Sequence, residues 1–157
     1  MANTTPDVAV LVGRFQPFHN AHLALLRRAL EIAPRCIVVI GSAHQARTPK
    51  NPFTWAERAE MIRLALKPDR RARVQFLPLR DCYDAARWER SVRDGVTTLA
   101  ASTPHGDGSA APMVALVGHI KDATSEYLRG FPGWVAESVE RYAVADEQFH
   151  LAIAAAT

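Results

Sequence analysis

A short segment near the amino terminus, GRFQPFHNAH at residues 13–22, brings together two histidines, an arginine and a glycine. His19 and His22 are three residues apart, so their rings share one face if the segment forms the first turn of a helix. The free N–H groups and positive dipole end of such a turn attract anions. With the guanidinium of Arg14, the two imidazoles suit a polyphosphate whose charge shifts during a reaction.

Two plainer interpretations of the histidine pair stay open at this point. Histidines at this spacing also occur as a helix cap or a surface feature, and they supply half of a metal site. Because short motifs arise by chance, the surrounding elements have to decide between these interpretations and phosphate binding.

Short apolar runs alternate with segments of helical periodicity along the chain. The runs predict buried parallel strands at residues 8–12, 36–40, 74–79, 113–117 and 134–139. The periodic segments predict helices at residues 20–33, from a Thr54–Glu57 capping box to about Pro68, around residues 88–99, and at residues 123–128. This alternation predicts an α/β fold: a single Rossmann-like, doubly wound domain over residues 1–157, with a five-stranded, mainly parallel sheet.

Three predicted strands end in a glycine that precedes a polar residue: Gly13–Arg14, Gly41–Ser42 and Gly118–His119. The carboxyl ends of parallel strands share one edge of the sheet, and ligands of such folds bind beyond that edge. We therefore expect these three turns to surround one ligand.

Composition narrows the classes of function. The net charge is +3, from 19 basic and 16 acidic residues, which fits an anionic small molecule at least as well as a nucleic acid. Neither a basic stripe nor a series of stacking aromatics is visible, so we predict no nucleic-acid partner.

No apolar run approaches the roughly 20 residues of a membrane span, and residues 1–7 do not look like a signal peptide. We predict no membrane association and a cytoplasmic protein with two reduced cysteines. The helices offer surface for a homo-oligomer, but no residue pattern specifies an interface.

The 13–22 segment resembles the His-x-Gly-His motif of the nucleotidylyltransferase superfamily. Its form GRFQPFH is similar to that of nicotinamide mononucleotide (NMN) adenylyltransferases, particularly the adenylyltransferase domain of bacterial proteins that also carry a Nudix hydrolase domain. The resemblance extends from Val8 to about Trp134. Further motifs agree in order and spacing: GSA at 41–43, NPFT at 51–54 with ER at 57–58, PLRD at 78–81 and GHIKD at 118–122.

The resemblance implies roles for the residues that match. His19 and His22, with Arg14 as a further cation, would be catalytic. Residues implied to bind ATP are Gly13, Phe15, Gln16, Gly118, His119 and Lys121. Residues implied to bind NMN are Arg47, Asn51 and Trp88. Mg²⁺ would arrive on the ATP phosphates, with no metal site of the protein itself, and the expected partners are ATP, NMN and NAD.

Some of these residues also have structural interpretations. Trp88 occupies a helical core position with Val92 and Val96, so burial is the alternative to stacking on a ligand. Asn51 equally belongs to a turn that leads into a capped helix. The residues 57–58 are interpreted as a cap and a surface charge.

The sequence departs from the family at three places. Ala21 stands where the superfamily usually has Gly, and Ala85 where relatives tend to have Asn or Asp. After the last strand the family has a Ser/Thr-x-x-Arg element at a helix start, which binds the β- and γ-phosphates, and residues 138–150 offer none there. Loss of one such donor typically costs ~3 kcal/mol in the transition state. Residues 135–157 are thus an atypical C-terminal segment, either of a single-domain variant with a reworked end or of a chain cut short.

The function expected from these observations is the reaction of ATP with NMN to give NAD and pyrophosphate. Two alternatives stay open: transfer to another phosphorylated acceptor, such as pantetheine phosphate or flavin mononucleotide, and a catalytically weakened protein that binds nucleotides.

Overall fold

The computed structural model describes residues 5–101, 112–118, 131 and 133–138. The predicted helix at 123–128 and the predicted site residues His119 and Lys121 lie outside this part of the chain. The elements are β1 (Val8–Gly13), α1 (Asn20–Ile32), β2 (Arg35–Ile40), α2 (Trp55–Leu64), α3 (Pro68–Arg71), β3 (Val74–Pro78), α4 (Ala85–Ala101), β4 (Val114–Gly118) and β5 (Val135–Ser138). Within the described ranges, no helix is long and apolar enough to cross a membrane.

The strands form one sheet in the order β3-β2-β1-β4-β5, and every neighbouring pair is parallel. Gly13 at the end of β1 is paired with Ile40 at the end of β2, and Ile40 is paired with Pro78 at the end of β3. The carboxyl ends of these strands therefore lie along one edge. The chain order reverses between β1 and β4, and such a switch point leaves a crevice for ligands. The predicted α/β fold with a parallel sheet is confirmed.

Helices cover both faces of the sheet because alternate residues of its buried strands point to opposite sides. Ala9 and Leu11 of β1 pack in a cluster with the apolar faces of α1 and α2. Val8 and Val10 belong to a second cluster with Val92 and other residues of α4. The central strand β1 is thus held from both sides, which fixes the position of the turn that follows it.

One predicted helix is shorter than expected. The periodic segment that begins at the Thr54 capping box was expected to continue to about Pro68, but α2 ends at Leu64. Lys67, which precedes the proline, is extended with ψ 155°, and Pro68 then opens the separate helix α3. The ring of a proline disfavours helical backbone in the preceding residue, and this explains the break.

Candidate active site

The first turn of α1 fixes the two histidines against each other. His19 is the extended N-cap residue of the helix, and its backbone N–H donates a hydrogen bond to Nδ1 of His22 at 3.3 Å. The rings are stacked, with centroids 3.7 Å apart and planes 21° from parallel. Because Nδ1 of His22 accepts this bond, the proton of the neutral ring lies on Nε2. His22 is thereby oriented as an N–H donor.

The surroundings of His22 keep its ring uncharged. The ring of Phe15 meets it edge-on at a centroid distance of 4.8 Å, and Phe18 stacks at 5.8 Å. Burial, and secondly the nearby His19, lower the pKa of His22 from 6.5 to about 3. A neutral imidazole at the start of a helix can donate a hydrogen bond to an anion without a charge of its own.

The ring of His22 is therefore expected not to titrate between pH 8 and pH 5 in the ligand-free protein. The unfolded chain takes up a proton at this residue near pH 6.5, whereas the folded chain does so only near pH 3. The stability that His22 contributes is present above pH 6.5 and is lost as the pH falls towards 3. NMR of the imidazole nitrogens measures the titration, and a midpoint near 6.5 would contradict this environment. A bound triphosphate should raise the pKa.

Phe15 forms the wall behind the histidines in an uncommon backbone conformation. Its φ is +55°, in the left-handed region that non-glycine residues seldom adopt, and its side chain is 2% exposed. The ring lies directly over Gly13, where a Cβ would come within 2.7 Å of Cζ and 2.8 Å of Cε1. Glycine at the end of β1 therefore leaves the space that the Phe15 ring needs to reach His22.

Substitution of Gly13 by alanine is expected to destabilise the fold by about 1–3 kcal/mol, because the new methyl group overlaps a buried ring. The matched control is Gly41→Ala at the end of β2, where a Cβ would meet its nearest atom at 3.7 Å, an ordinary contact. Thermal unfolding of both variants measures the difference. Equal midpoints would show that the Phe15 ring moves aside freely.

A buried arginine holds the turns at the carboxyl edge of the sheet. Arg58 of α2 is 1% exposed, and its guanidinium donates to four backbone carbonyls. Nη1 bonds the carbonyls of Arg14 at 2.8 Å and Gly41 at 2.7 Å, while Nη2 and Nε bond those of Ser42 and Thr54, each at 3.2 Å. Burial lowers the pKa of Arg58 from its ordinary value. The residue thus joins the ends of β1 and β2 to the start of α2.

A cavity of about 570 Å³ opens beside this edge, between the end of β1 and the start of α4. The exposed guanidinium of Arg14 lines it and makes no ion pair with the described carboxylates. Trp88 lines the other side and also meets Phe131 edge-on, with centroids 6.1 Å apart. Trp88 is therefore both part of the packing and accessible from the cavity. Asp81 lies on the rim and accepts hydrogen bonds of 2.8 and 3.0 Å from Ser42.

The loop between β2 and α2, residues 43–54, carries the other predicted contacts and is called the acceptor loop below. The guanidinium of Arg47 bonds the carbonyl of Pro52 at 2.9 Å and the carboxylate of Glu57 at 2.6 Å. The hydrogen bond from Arg47 is the main cause that lowers the pKa of Glu57. Oδ1 of Asn51 is buried and has no hydrogen-bond partner in the described part of the chain.

The predicted residues fall into groups. Gly13, Arg14, Phe15, His19 and His22 lie at the end of β1, in the loop that follows it and in the first turn of α1. This segment, residues 13–22, is called the histidine turn below, and Trp88 faces the same edge of the sheet across the cavity. Gly118 ends β4, next to β1 in the sheet. Sequence reasoning assigned Arg58 to the surface, which is wrong. The signal that places it inside is its position four and eight residues before the buried Ile62 and Leu66.

Residues 10–88, half of the chain, match the family model described as cytidylyltransferase-like. The chain belongs to the cytidylyltransferase-like family. This match includes the histidine turn, Arg58 and the acceptor loop, and also the residues that line the cavity, from Val12 to Trp88.

Within this family, the chain is similar to adenylyltransferases that act on nicotinamide nucleotides. It is 37% identical over 134 residues to the nicotinamide/nicotinic acid mononucleotide adenylyltransferase of Acinetobacter baylyi, covering 85% of this chain and 67% of the relative. It is 37% identical over 95 residues to the nicotinamide-nucleotide adenylyltransferase of Ignicoccus hospitalis, covering 59% of this chain and 56% of the relative. The predicted resemblance to NMN adenylyltransferases is confirmed.

A solved structure agrees with this family placement. The bifunctional NMN adenylyltransferase/ADP ribose pyrophosphatase of Francisella tularensis, complexed with AMP and a manganese ion, superimposes with a TM-score of 0.72 at 32% identity. The match covers 88% of this chain and 38% of that protein. The present chain thus spans about two fifths of the length of the bifunctional protein.

Proposed function

We propose that this protein transfers the adenylyl group of ATP to NMN, with NAD and pyrophosphate as products. The observation that carries the proposal is the stacked pair His19 and His22 at the amino-terminal turn of α1, with an N–H donor oriented on His22. The pair lies at the carboxyl edge of the sheet, where folds of this kind bind nucleotides. The 37% identity to an adenylyltransferase for nicotinamide and nicotinic acid mononucleotides supports the choice of acceptor.

The proposed chemistry consists of positioning and charge stabilisation. The 5′-phosphate of NMN attacks the α-phosphorus of ATP in line, the new P–O bond forms as the bond to the β-phosphate oxygen breaks, and pyrophosphate leaves towards the helix N-terminus. A phosphate is already a competent nucleophile, so no general base is required. Nε2–H of His22 and the ring of His19 stabilise the charge that develops on the transferred and leaving phosphates, and Arg14 adds a positive charge.

The cavity beside Arg14 is proposed to receive the acceptor. Trp88 offers an aromatic face on its wall, which suits a planar cationic ring such as nicotinamide. In the acceptor loop, Oδ1 of Asn51 is buried without a partner among the described residues and is proposed to accept a hydrogen bond once NMN rearranges the loop, and Arg47 is proposed to bind the NMN phosphate with its guanidinium fork. The use of Arg47 requires exchange of its ion pair with Glu57 for the phosphate. Gly13, Phe15, Gly118, His119 and Lys121 remain the proposed ATP contacts, whereas the carboxamide of Gln16, expected in the same group, bonds Phe53.

The proposed metal is Mg²⁺, carried in by ATP. The described residues contain no group of three or more His, Cys, Asp or Glu side chains that could hold a metal ion. Mg²⁺ is commonly held through substrate phosphates, and there it neutralises charge on the triphosphate. The manganese ion in the Francisella structure supports the use of a divalent cation. We further propose a cytoplasmic location; within the described ranges Cys36 and Cys82 are free thiols.

A panel of acceptors tests the proposed substrate. Purified protein is incubated with ATP, Mg²⁺ and one of NMN, nicotinic acid mononucleotide, pantetheine phosphate or flavin mononucleotide, and pyrophosphate release is followed. The proposal requires the highest kcat/KM with a pyridine mononucleotide. A higher value with pantetheine phosphate or flavin mononucleotide would replace the acceptor, whereas tight ATP binding without pyrophosphate release would indicate a nucleotide-binding protein.

A further inference from the structure

The carboxamide of Gln16 forms a two-point contact with a segment far away in the sequence. Its Nε2 donates to the carbonyl of Phe53 at 3.1 Å, and its Oε1 accepts from the N–H of Phe53 at 3.0 Å. The two residues are 37 positions apart. A side-chain amide that meets both polar groups of one peptide residue fixes orientation as well as distance, as paired strands do.

The contact joins the two parts of the candidate site, the histidine turn and the acceptor loop. Gln16 follows Phe15, the residue that packs against the ring of His22. Phe53 lies in the acceptor loop, two residues after Asn51 and one before the N-cap Thr54. A shift of Phe53 relative to Gln16 would therefore move the acceptor loop relative to the histidines.

Arg58 also links the segment around Gln16 to the segment around Phe53. Its guanidinium bonds the carbonyl of Arg14 in the histidine turn and the carbonyl of Thr54 at the end of the acceptor loop. The loop is thus attached to the histidine turn on both sides of the Phe53–Thr54 peptide. At its start the loop is held by the N–H of Ala43, which donates to the carbonyl of Leu79 at 2.9 Å. Between these ends, the Gln45 side chain donates to the nearby carbonyl of Ser42 at 3.0 Å, and the N–H of Asn51 donates to Oγ1 of Thr48.

We propose that Gln16 is a positioning residue that sets the distance between the acceptor loop and the histidine turn, and hence between the two reacting phosphates. The inference rests on the proposed adenylyl transfer for its kinetic consequence, but the contact itself can be tested without turnover. Gln16 acts through Phe53, and this role differs from the direct ATP contact that the family resemblance implies. In-line transfer depends steeply on such placement, since a displacement of about 1 Å lowers rates on the order of a hundredfold.

The test uses Gln16→Leu, which keeps the size of the side chain and removes both hydrogen bonds, and Gln16→Glu, which keeps an acceptor for the N–H of Phe53 and places a carboxylate against its carbonyl. Gln45→Leu is the matched control, because it removes a glutamine hydrogen bond that stays local. Three quantities are measured in the full chain: kcat/KM for NMN, the Kd of ATP by calorimetry, and amide hydrogen exchange of residues 47–54.

For both Gln16 variants, kcat/KM for NMN should fall on the order of a hundredfold while the Kd of ATP changes by less than about twofold. Exchange at residues 47–54 should accelerate by roughly tenfold or more, with residues 20–32 unaffected. Gln45→Leu should alter none of these. An ATP affinity that weakens as much as kcat/KM would overturn the proposal in favour of direct ATP contact, and an unchanged kcat/KM would overturn it as well.

The test of Gln16 can fail or succeed independently of the proposed adenylyl transfer. If the unaltered protein makes no NAD from NMN, the proposed acceptor is wrong, and exchange at residues 47–54 then decides on Gln16 alone. Faster exchange in both Gln16 variants and not in Gln45→Leu would support the connection, and equal exchange in all of them would overturn it.

Discussion

Replacement of His22 by alanine is expected to lower kcat for NAD formation by about 10²- to 10³-fold and to leave the Kd of ATP within a few-fold of its original value. The reason is the stacked, uncharged ring whose Nδ1 is already bonded to the N–H of His19. In the proposed mechanism, its Nε2–H acts on charge that develops only as the α-phosphorus reacts, so the ground-state complex should lose little. Steady-state kinetics with calorimetry on the same preparation measures both quantities.

The conservative control for this prediction is His22→Gln. The glutamine amide places a neutral N–H donor near the position of Nε2, so we expect it to recover part of the rate that alanine loses. The thermal midpoints of both variants show whether the packing against Phe15 survives. Equal losses in ATP affinity and kcat would contradict the assigned role, because they would make His22 a ground-state ligand.

Replacement of Arg58 by methionine is expected to have the largest effect on stability. Methionine keeps much of the buried volume but removes the side-chain donor of the Arg14 and Gly41 carbonyls, and each buried unsatisfied group costs about 1–3 kcal/mol. The carbonyls of Ser42 and Thr54 each keep a second donor, the Gln45 side chain and the backbone N–H of residue 58. Water that enters from the edge of the sheet will satisfy some of the lost bonds, so the expected loss is roughly 3 kcal/mol or more. For a chain of this size that corresponds to a fall in the thermal midpoint of about 6–12 °C.

The matched control is Arg63→Met in the same helix. Arg63 is half-exposed and pairs with Glu60 at 3.4 Å, so its loss should cost less than about 1 kcal/mol. Arg58→Lys should fall between the two, because an ammonium keeps the charge but not the fork that reaches both strand ends. Equal midpoints for Arg58→Met and Arg63→Met would show that the buried guanidinium is not what holds the turns together.

Sequence patterns predicted most of the sheet and the helix starts because those depend on local information. The apolar run at residues 8–12 falls within β1, and the Thr54–Glu57 capping box is present, with both hydrogen bonds formed at 2.9 and 3.1 Å. The end of α2 was placed too late because the periodic pattern hides the effect of Pro68 on the residue before it.

The candidate site was predicted less completely, because its supports join residues far apart in the chain. The histidine turn was visible as a motif, since its residues are adjacent. The contacts of Gln16 with Phe53 and of Arg58 with Arg14 span 37 and 44 positions, and no local pattern encodes them. An arginine in an amphipathic helix is usually solvated, so the charge of Arg58 predicts an exposed side chain. Its spacing from Ile62 and Leu66 predicts a buried one, and the structure agrees with the spacing.

The reaction itself is the most direct test of this account. Purified protein is mixed with ATP, Mg²⁺ and NMN, and NAD and pyrophosphate are quantified together, with His22→Ala measured in parallel. Adenylyl transfer predicts NAD and pyrophosphate in equal amounts, dependent on NMN, and a rate in the variant reduced by about two to three orders of magnitude. Pyrophosphate release that is independent of NMN, or no NAD despite ATP binding, would contradict it.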